Sequence, residues 1–323
     1  MAGKNMSNSL ISIIIRAYNE ENHITRLLHG ISVQTKDNYE IILVDSGSTD
    51  ATVEIAKDYG AKICYISPEE FTFGRALNLG IKNAKGKYCV FASAHVYPTR
   101  KDWLKNLIQM FDDPNVALVY GKQRGDKRTK FSEEQVFLKW FPEESVENQN
   151  HPFCNNANAA IRREVWEELP YNEELTGLEG LAWAKRAMNK GYGVAYCAEA
   201  EVKHVHEETY KQIRYRYERE AMAMKGIMPY SKFTLVDFLS LFFQNIWNDW
   251  KAAANQNCLF DSFFEVIRFR FNQFYGTYKG YRVKRKLTKE LRDRYYYPKK
   301  KKFDRSKART RARDEIQIDY GDD

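Results

Sequence analysis

The sequence predicts an α/β protein in which a mostly parallel sheet is flanked by helices and followed by an α-helical extension. Three observations predict this fold. Short apolar runs alternate with amphipathic helical patterns over the first half of the chain, polar turns follow the apolar runs, and only helical patterns occur beyond residue 208. The chain has 323 residues, of which 43% are hydrophobic and 14% aromatic, enough for one large domain and a smaller one.

The first half supplies the strands of the predicted sheet and the helices between them. Strands are predicted at residues 11–15, 41–44, 62–66, 88–92 and 116–120, and a helical pattern follows each of the first four. The second helix is predicted to begin at Ser48, Thr49 or Asp50, which are good N-caps, and to end at Gly60. Such alternation is typical of a parallel sheet covered on both faces.

The second half is predicted to be irregular at first and then helical. Residues 121–158 form a polar connection in which apolar residues show no clear helical or strand periodicity, and such long connections are usually functional or mobile. Helices are then predicted at residues 163–168 and 181–189, strands at 193–196 and 201–206, and three helices with aromatic stripes between 210 and 281.

Three segments are expected along the chain. Gly226, Pro229 and Ser231 form a cluster that predicts a boundary between a domain at residues 1–225 and a helical extension at 226–281. A basic tail, for which disorder is one expectation, follows at 282–323.

The formal net charge of +8 arises mainly from basic residues between positions 268 and 313. A solvated tail is the ordinary explanation of such a run, and contact with an anionic membrane surface is the functional one. For the aromatic stripes between residues 210 and 281, packing on the first domain or pairing in a homodimer is at least as strongly expected as contact with a membrane. Nucleic acid is not an expected partner, because no RNA- or DNA-binding signature accompanies the charge.

The expected location is the cytoplasm, including a peripheral site at the inner face of the cell membrane. Five cysteines without a CxxC pair fit a reducing compartment. No apolar stretch reaches the roughly 20 residues that span a bilayer. The apolar run at residues 10–15 is too short for a secretory signal.

Polar motifs follow three of the predicted strands, at the edge of the sheet where open α/β folds bind ligands. They are Arg16-Ala17-Tyr18-Asn19-Glu20, Asp45-Ser46-Gly47-Ser48 and Ser93-Ala94-His95. In this order, and with Gly74-Arg75-Ala76-Leu77-Asn78 before the fourth strand, they resemble the family 2 glycosyltransferases, which have the nucleotide-sugar-binding fold called GT-A. The resemblance extends over about the first 225 residues and is to bacterial surface-polysaccharide and rhamnosyltransferase-like members.

The resemblance implies a nucleotide-sugar donor pocket built from these motifs. Its residues would be Ala17, Tyr18, Asn19, Glu20, Asp45, Ser46, Arg75, Asn78, Ser93 and Ala94. Asp45 would recognise the base, and the Arg75 guanidinium would hold diphosphate oxygens bidentately. From the residues alone, Asp45 is also consistent with a capped strand-to-helix turn, and Arg75 with a solvated helix start.

The Ser93-Ala94-His95 motif stands where most of the family carries Asp-X-Asp. The last acid of that motif binds a metal in the family, so the resemblance implies a divalent cation, Mn²⁺ or Mg²⁺, at His95. Imidazole suits manganese and zinc better than magnesium. Direct contact between His95 and the diphosphate, or no ligand role at all, are the alternatives.

A second metal ligand is expected near the end of the family domain. His204 and His206 lie two apart in a predicted strand, and residues two apart in a strand face the same side. The resemblance implies that one of them serves the metal or the phosphates, with His204 preferred and His206 as the alternative.

The segment Leu178-Glu179-Gly180-Leu181 resembles the family's acidic helix start, where an acidic pair is usual. The resemblance implies that Glu179 removes the acceptor proton, while Gly180 replaces the second acid; positioning of the acceptor by Glu179 is the alternative. A helix N-terminus favours negative charge, which suits an ionised base. Asn156 and Trp183 are the expected acceptor-side residues, since amides both donate to and accept from sugar hydroxyls.

The function implied is that of an inverting glycosyltransferase. It would move a sugar from a nucleotide sugar to a hydroxyl of a glycan or lipid-linked saccharide in surface polysaccharide synthesis. The alternative is a catalytically degenerate GT-A module that binds a nucleotide sugar or glycan and acts as a scaffold for an active partner. The missing Asp-X-Asp and Gly180 motivate that alternative.

Overall fold

The computed structural model describes residues 10–283, 291, 295–297 and 317–320. Its strands are β1 (Ile11–Ala17), β2 (Tyr39–Asp45), β3 (Lys62–Tyr65), β4 (Tyr88–Ser93), β5 (Val96–Pro98), β6 (Val116–Arg124), β7 (Asn158–Arg162) and β8 (Gly193–His204). Its helices are α1 (Glu21–Ser32), α2 (Thr52–Asp58), α3 (Phe73–Lys82), α4 (Trp103–Gln109), α5 (Phe131–Trp140), α6 (Arg163–Glu168), α7 (Glu179–Asn189), α8 (Tyr210–Ile227), α9 (Leu235–Asn255) and α10 (Leu259–Arg282).

The eight strands form one sheet in the order β3-β2-β1-β4-β7-β6-β8-β5. The strands β3, β2, β1 and β4 are parallel, β7 is antiparallel to both of its neighbours, and β8 is parallel to β6. In this register Ala17 pairs with Asp45 and Arg16 pairs with Ser93. The carboxyl ends of β1, β2 and β4 therefore lie at the same edge of the sheet, as the motif analysis predicts.

Both faces of the sheet are covered, which explains the run of three isoleucines at residues 13–15 of β1. Ile11, Ile13 and Ile15 are fully buried in one core cluster, and Ile14 is fully buried in the other. Burial of such a side chain stabilises the fold by about 1.5–3 kcal/mol. A strand that is buried on both faces loses the polar alternation of a half-exposed strand.

The prediction of an irregular segment at residues 121–158 is wrong in part. The segment contains the end of β6 and the helix α5, whose buried face includes the polar residues Ser132 and Glu133 beside Phe137. Apolar periodicity does not detect a helix that buries polar groups. Their burial depends on partners far along the chain, namely Asp249 for Ser132 and Arg216 for Glu133.

Two further predicted elements differ in their bounds. The strand pair expected at 193–196 and 201–206 is a single strand, β8, with a register shift against β6 between Gly121 and Gln123. This irregularity interrupts the alternation along the strand, and His206 lies beyond the strand end. Helix α2 begins at Thr52 rather than at residues 48–50. The side chain of Ser48 accepts a hydrogen bond from the turn after β1, and the Asp50 carboxylate accepts one from the Thr52 amide.

Helix α10 packs against α8, α9 and α5. Cβ atoms added at Gly276 and Gly280 of α10 would stand 2.4 and 2.3 Å from backbone oxygens of α8, so glycine permits the close approach of these helices. The buried Asp249 carboxylate of α9 accepts hydrogen bonds from Arg270 of α10. No helix in the described part of the chain has the length and apolarity needed to cross a membrane.

Candidate functional site

The turns that follow β1 and β2 are bonded to each other at the carboxyl edge of the sheet. The Asn19 amide donates to Ser48 Oγ at 2.9 Å, and the Thr49 amide donates to Asn19 Oδ1 at 2.8 Å. Asn19 has a positive φ of 52°, which asparagine tolerates better than most residues. The two predicted walls of the donor pocket, at residues 17–20 and 45–46, are therefore one connected structure.

The Asp45 carboxylate caps its own turn. Its Oδ2 atom accepts hydrogen bonds from the amides of Gly47 and Ser48, both at 3.0 Å, and the side chain is buried. Ser46 is also buried and donates its amide to Ala17 O. The strand-to-helix turn considered for Asp45 is thus present, and its recognition of a base stays a prediction.

Arg75 and Asn78 are both engaged by the loop before α7. Arg75 Nε donates to Glu173 Oε2 at 2.9 Å, although the side chain remains partly exposed. The buried Asn78 amide donates to Tyr171 O and Glu173 Oε1, and its oxygen accepts from Trp166 Nε1 and the Tyr171 amide. The Asn78 amide thereby uses its whole hydrogen-bonding capacity within the protein. This geometry does not support the predicted contact between Asn78 and a nucleotide sugar.

Three histidines converge beside the predicted donor pocket. The ring centroids of His95 and His204 are 5.2 Å apart, and those of His204 and His206 are 4.0 Å apart. One ring nitrogen of each of the three lies within 4.8 Å of the other two. The structure thus places both His204 and His206 near His95, whereas the sequence analysis considered them as alternatives.

Each of the three imidazoles is held at Nδ1 by a side-chain oxygen from another element. His95 Nδ1 lies 3.3 Å from a Glu20 oxygen, His204 Nδ1 lies 2.7 Å from Gln123 Oε1, and His206 Nδ1 lies 2.7 Å from Glu133 Oε1. Sequence reasoning missed Gln123 and Glu133, since no local pattern marks an anchor that is 73 or 81 residues away.

The electrostatics of the cluster favour a neutral imidazole at its centre. Burial lowers the pKa of His204 well below its ordinary value, and His206 and His95 act in the same direction. Burial alone would raise the pKa of Glu133, but the Arg216 guanidinium and His206 hold it below its usual range. His204 Nε2 is buried and has no hydrogen-bond partner among the described residues. A neutral, unpartnered ring nitrogen beside two further imidazoles fits a metal cation.

Glu179 is the first residue of α7 and faces the end of β1. Arg16 Nη1 lies 3.1 Å from Glu179 Oε1, and the carboxylate is largely buried. The preceding residue, Leu178, has a positive φ of 55°, which sets the sharp entry into the helix. The predicted base thus contacts the strand whose following turn forms a wall of the predicted donor pocket.

The two predicted acceptor residues are both buried, and they differ in the bonding of their polar atoms. Asn156 is next to Gly180 and is 5% exposed, and neither polar atom of its amide has a partner in the described structure. Trp183 is 1% exposed, and its indole N–H donates to Leu169 O. Trp183 packs in the core, so its burial does not support direct contact with an acceptor.

Arginines that the sequence analysis did not single out lie at the same edge. The guanidinium carbons of Arg16 and Arg219 stand 4.9 and 4.8 Å from the centroid of the Phe73 ring. Arg16 belongs to the first polar motif, whereas no local sequence pattern distinguishes Arg219 from the other residues of α8.

The end of the chain returns to this region. The basic tail predicted at residues 282–323 lies mostly outside the described residues, but Tyr295, Tyr296 and Tyr297 are described. The ring of Tyr297 packs edge-on against Tyr18 with a centroid distance of 4.6 Å. A segment near the end of the chain therefore contacts the predicted donor pocket.

Comparisons with known sequences agree with these features. Residues 12–169 match the family model described as glycosyl transferase family 2. The O-antigen chain rhamnosyltransferase WbaN of Salmonella anatum is 34% identical over 201 residues, which are 58% of this chain and 64% of that protein. The O-antigen chain rhamnosyltransferase RfbN of Salmonella typhimurium is 32% identical over 220 residues, which are 64% of this chain and 70% of that protein. The chain thus spans just under two thirds of the length of WbaN.

Solved structures share the fold at lower identity. The mannosyltransferase PcManGT from Pyrobaculum calidifontis, in complex with GDP-Man and Mn²⁺, matches with a TM-score of 0.57 and 20% identity, over 84% of each chain. Glucosyl-3-phosphoglycerate synthase from Mycobacterium tuberculosis, in complex with Mn²⁺, UDP and glucosyl-3-phosphoglycerate, matches with a TM-score of 0.53 and 19% identity, over 70% of this chain and 82% of that one. The predicted GT-A-type α/β fold with a helical region at its end is confirmed.

Proposed function

This chain belongs to glycosyl transferase family 2, and from that premise we propose that it is an inverting transferase of surface polysaccharide synthesis. It moves one sugar from a nucleotide-sugar donor to a hydroxyl of a glycan or lipid-linked saccharide. The observation that carries the proposal is the contact of 3.1 Å between Arg16 and Glu179. It joins the candidate base to the strand that leads into the donor pocket.

The proposed chemistry is a single displacement at the anomeric carbon. The Glu179 carboxylate accepts the proton of the acceptor hydroxyl while the hydroxyl oxygen forms a bond to that carbon. The bond from the anomeric carbon to the diphosphate oxygen breaks, and its electron pair leaves with the nucleoside diphosphate. Attack opposite to the leaving group inverts the configuration.

The diphosphate needs positive charge as it leaves. Arg75 is partly exposed and is the proposed side-chain donor to the diphosphate oxygens. A divalent cation would be held by His95 and His204, with His206 beside them, and would supply charge stabilisation to the leaving group. Imidazole ligands favour Mn²⁺ over Mg²⁺ for this role.

We also propose a peripheral position at an anionic membrane, where a lipid-linked acceptor would lie. Helices α9 and α10 expose large aromatic side chains: Phe243, Trp247, Phe260 and Phe264. Aromatic rings with basic neighbours suit the membrane interface. A homodimer seam is the competing use of this face, and sedimentation at increasing protein concentration separates the two.

The test of the proposed function is a screen of the purified chain against UDP-, GDP-, dTDP- and CMP-sugars, with manganese, magnesium or a chelator. The expected result is cation-dependent release of one nucleotide, accelerated by lipid-linked saccharide acceptors. Donor binding without release in the presence of acceptors would contradict the proposal. It would favour the non-catalytic module that Gly180 and the Ser93-Ala94-His95 motif suggest.

A further inference from the structure

We propose that His95, His204 and His206 form one all-imidazole site that selects a late first-row transition-metal ion, such as Co²⁺ or Zn²⁺, over Mg²⁺. The inference rests on the proposed function, because it specifies the class of cation at the place where that function needs one. A ring nitrogen of each histidine lies within 4.8 Å of the other two. All three residues act together, and His206 is a ligand rather than a substitute for His204.

The first argument is the way in which the three rings are held. Glu20, Gln123 and Glu133 each place a side-chain oxygen at the Nδ1 atom of one histidine. An Nδ1–H that donates to such an oxygen leaves the electron pair on Nε2, which is the usual arrangement behind a metal-binding histidine. The anchors come from the turn after β1, from β6 and from α5, so three separate elements fix the three rings.

The second argument is the buried nitrogen of His204. The residue is 4% exposed, and its Nε2 atom lacks a hydrogen-bond partner among the described residues. A buried polar atom without a partner is costly, so a native protein usually retains one for a purpose. Coordination of a cation by this nitrogen would satisfy it.

The third argument is the chemistry of the donor set. The set contains three imidazoles and no carboxylate, because Ser93-Ala94-His95 stands where the family carries its acidic motif. Mg²⁺ prefers oxygen ligands, whereas the affinity of nitrogen sites rises from Mn²⁺ through Co²⁺ and Ni²⁺. Three protein ligands also leave a position open for an oxygen of the substrate, as in other catalytic sites.

A neighbouring group of side chains, Glu133, His206 and Glu208, also lies within metal-binding distances. Its two carboxylates are already paired with the Arg216 guanidinium, at 2.6 Å for Glu133 and 2.8 Å for Glu208. A cation there would sit beside a fixed positive charge. Glu133 therefore fits the role of an anchor for His206 better than that of a ligand.

The test is direct metal binding to the full chain, stripped of metal by a chelator and measured without donor or acceptor. Co²⁺ is titrated while its visible absorption is followed, and Zn²⁺, Mn²⁺ and Mg²⁺ are then added as competitors. We expect one Co²⁺ per chain, displaced by equimolar Zn²⁺ and retained in a large excess of Mg²⁺. His204→Ala and His206→Ala should each weaken Co²⁺ binding, while His151→Ala, an exposed histidine outside the cluster, should not.

The anchors are tested by Gln123→Leu, which removes the oxygen that holds His204, with Glu20→Ala as a second variant if the buried substitution prevents folding. Each is expected to weaken Co²⁺ binding roughly 10–100-fold. Wild-type Co²⁺ affinity in His206→Ala, or displacement of Co²⁺ by comparable Mg²⁺, would overturn the inference.

Separate transfer assays distinguish this inference from the proposed function. Selective Co²⁺ binding without any sugar transfer would contradict the proposed function alone. Transfer that Mg²⁺ supports and that His206→Ala leaves unchanged would contradict the inference alone.

Discussion

Asn156 lies directly against Gly180, and a Cβ atom added at Gly180 would stand 2.8 Å from Asn156 Oδ1. The asparagine is buried, and its amide has no hydrogen-bond partner within the described chain. The glycine that replaces the second acid of the family motif is therefore matched to the asparagine beside it. A larger side chain at this position would require Asn156 to move.

We expect Gly180→Ala to lower the free energy of unfolding by about 1–3 kcal/mol, because the added methyl group overpacks against the Asn156 amide. In an Asn156→Ala background the same change should be neutral or stabilising, since alanine is favoured over glycine in helices by about 1 kcal/mol. Denaturant unfolding of the four proteins measures the coupling energy. Additive effects would contradict a direct contact between the two residues.

Glu179→Gln is expected to lower kcat roughly 10²–10⁴-fold, the usual contribution of a positioned general base, while leaving the donor Kd unchanged. Stopped assays of sugar transfer and donor titrations measure the two quantities separately. Glu174→Gln is the matched control, because Glu174 is an exposed acid in the loop just before this helix. Unchanged turnover in Glu179→Gln would remove Glu179 from the proposed role.

Asp249→Asn is expected to destabilise the protein by about 3–5 kcal/mol, because it leaves the buried Arg270 guanidinium without its counter-charge. Arg270 Nε donates to Asp249 Oδ2 at 2.7 Å, and Ser132 Oγ donates to the same oxygen at 2.6 Å. Glu168→Gln breaks the exposed pair with Lys190 and should cost at most about 1 kcal/mol. Denaturant unfolding measures the decrease in the free energy of unfolding of each variant. Similar decreases in the two variants would show that the buried network does not hold α5, α9 and α10 together.

Tyr297→Ala is expected to raise the donor KM several-fold with little change in kcat. The ring of Tyr297 packs against Tyr18, and aromatic pairs contribute about 0.5–1.5 kcal/mol beyond their buried area. Loss of that contact should loosen the wall of the predicted donor pocket without touching Glu179. Tyr230→Ala, at a highly exposed tyrosine, is the control. Equal KM values for both variants would exclude a role of Tyr297 in donor binding.

Much of the fold was available from local pattern. The apolar runs of β1, β2 and β4 and the polar turns after them predict a sheet with a ligand-binding carboxyl edge, and the register of Arg16 with Ser93 places those turns together. The order of the motifs also indicated the family. The strands and turns depend on residues that are close in sequence, so periodicity and turn chemistry suffice to find them, whereas the family came from the resemblance of the motifs.

The sequence alone thus determined five strands, β1 to β4 and β6, and the edge at which the motifs meet, and its family resemblance marked Glu179 and His95 as candidates. It did not predict β5 and β7, and it divided β8 into two strands. The tertiary structure decided that His206 lies beside His204 and that Gln123 and Glu133 hold their rings. It also decided that the Asn78 and Trp183 side chains donate hydrogen bonds to backbone oxygens inside the protein. It also decided that α5 is a helix. The physical reason is that each of these outcomes depends on hydrogen bonds or ion pairs between distant segments, whose energies leave no trace in the local pattern of apolar and polar residues.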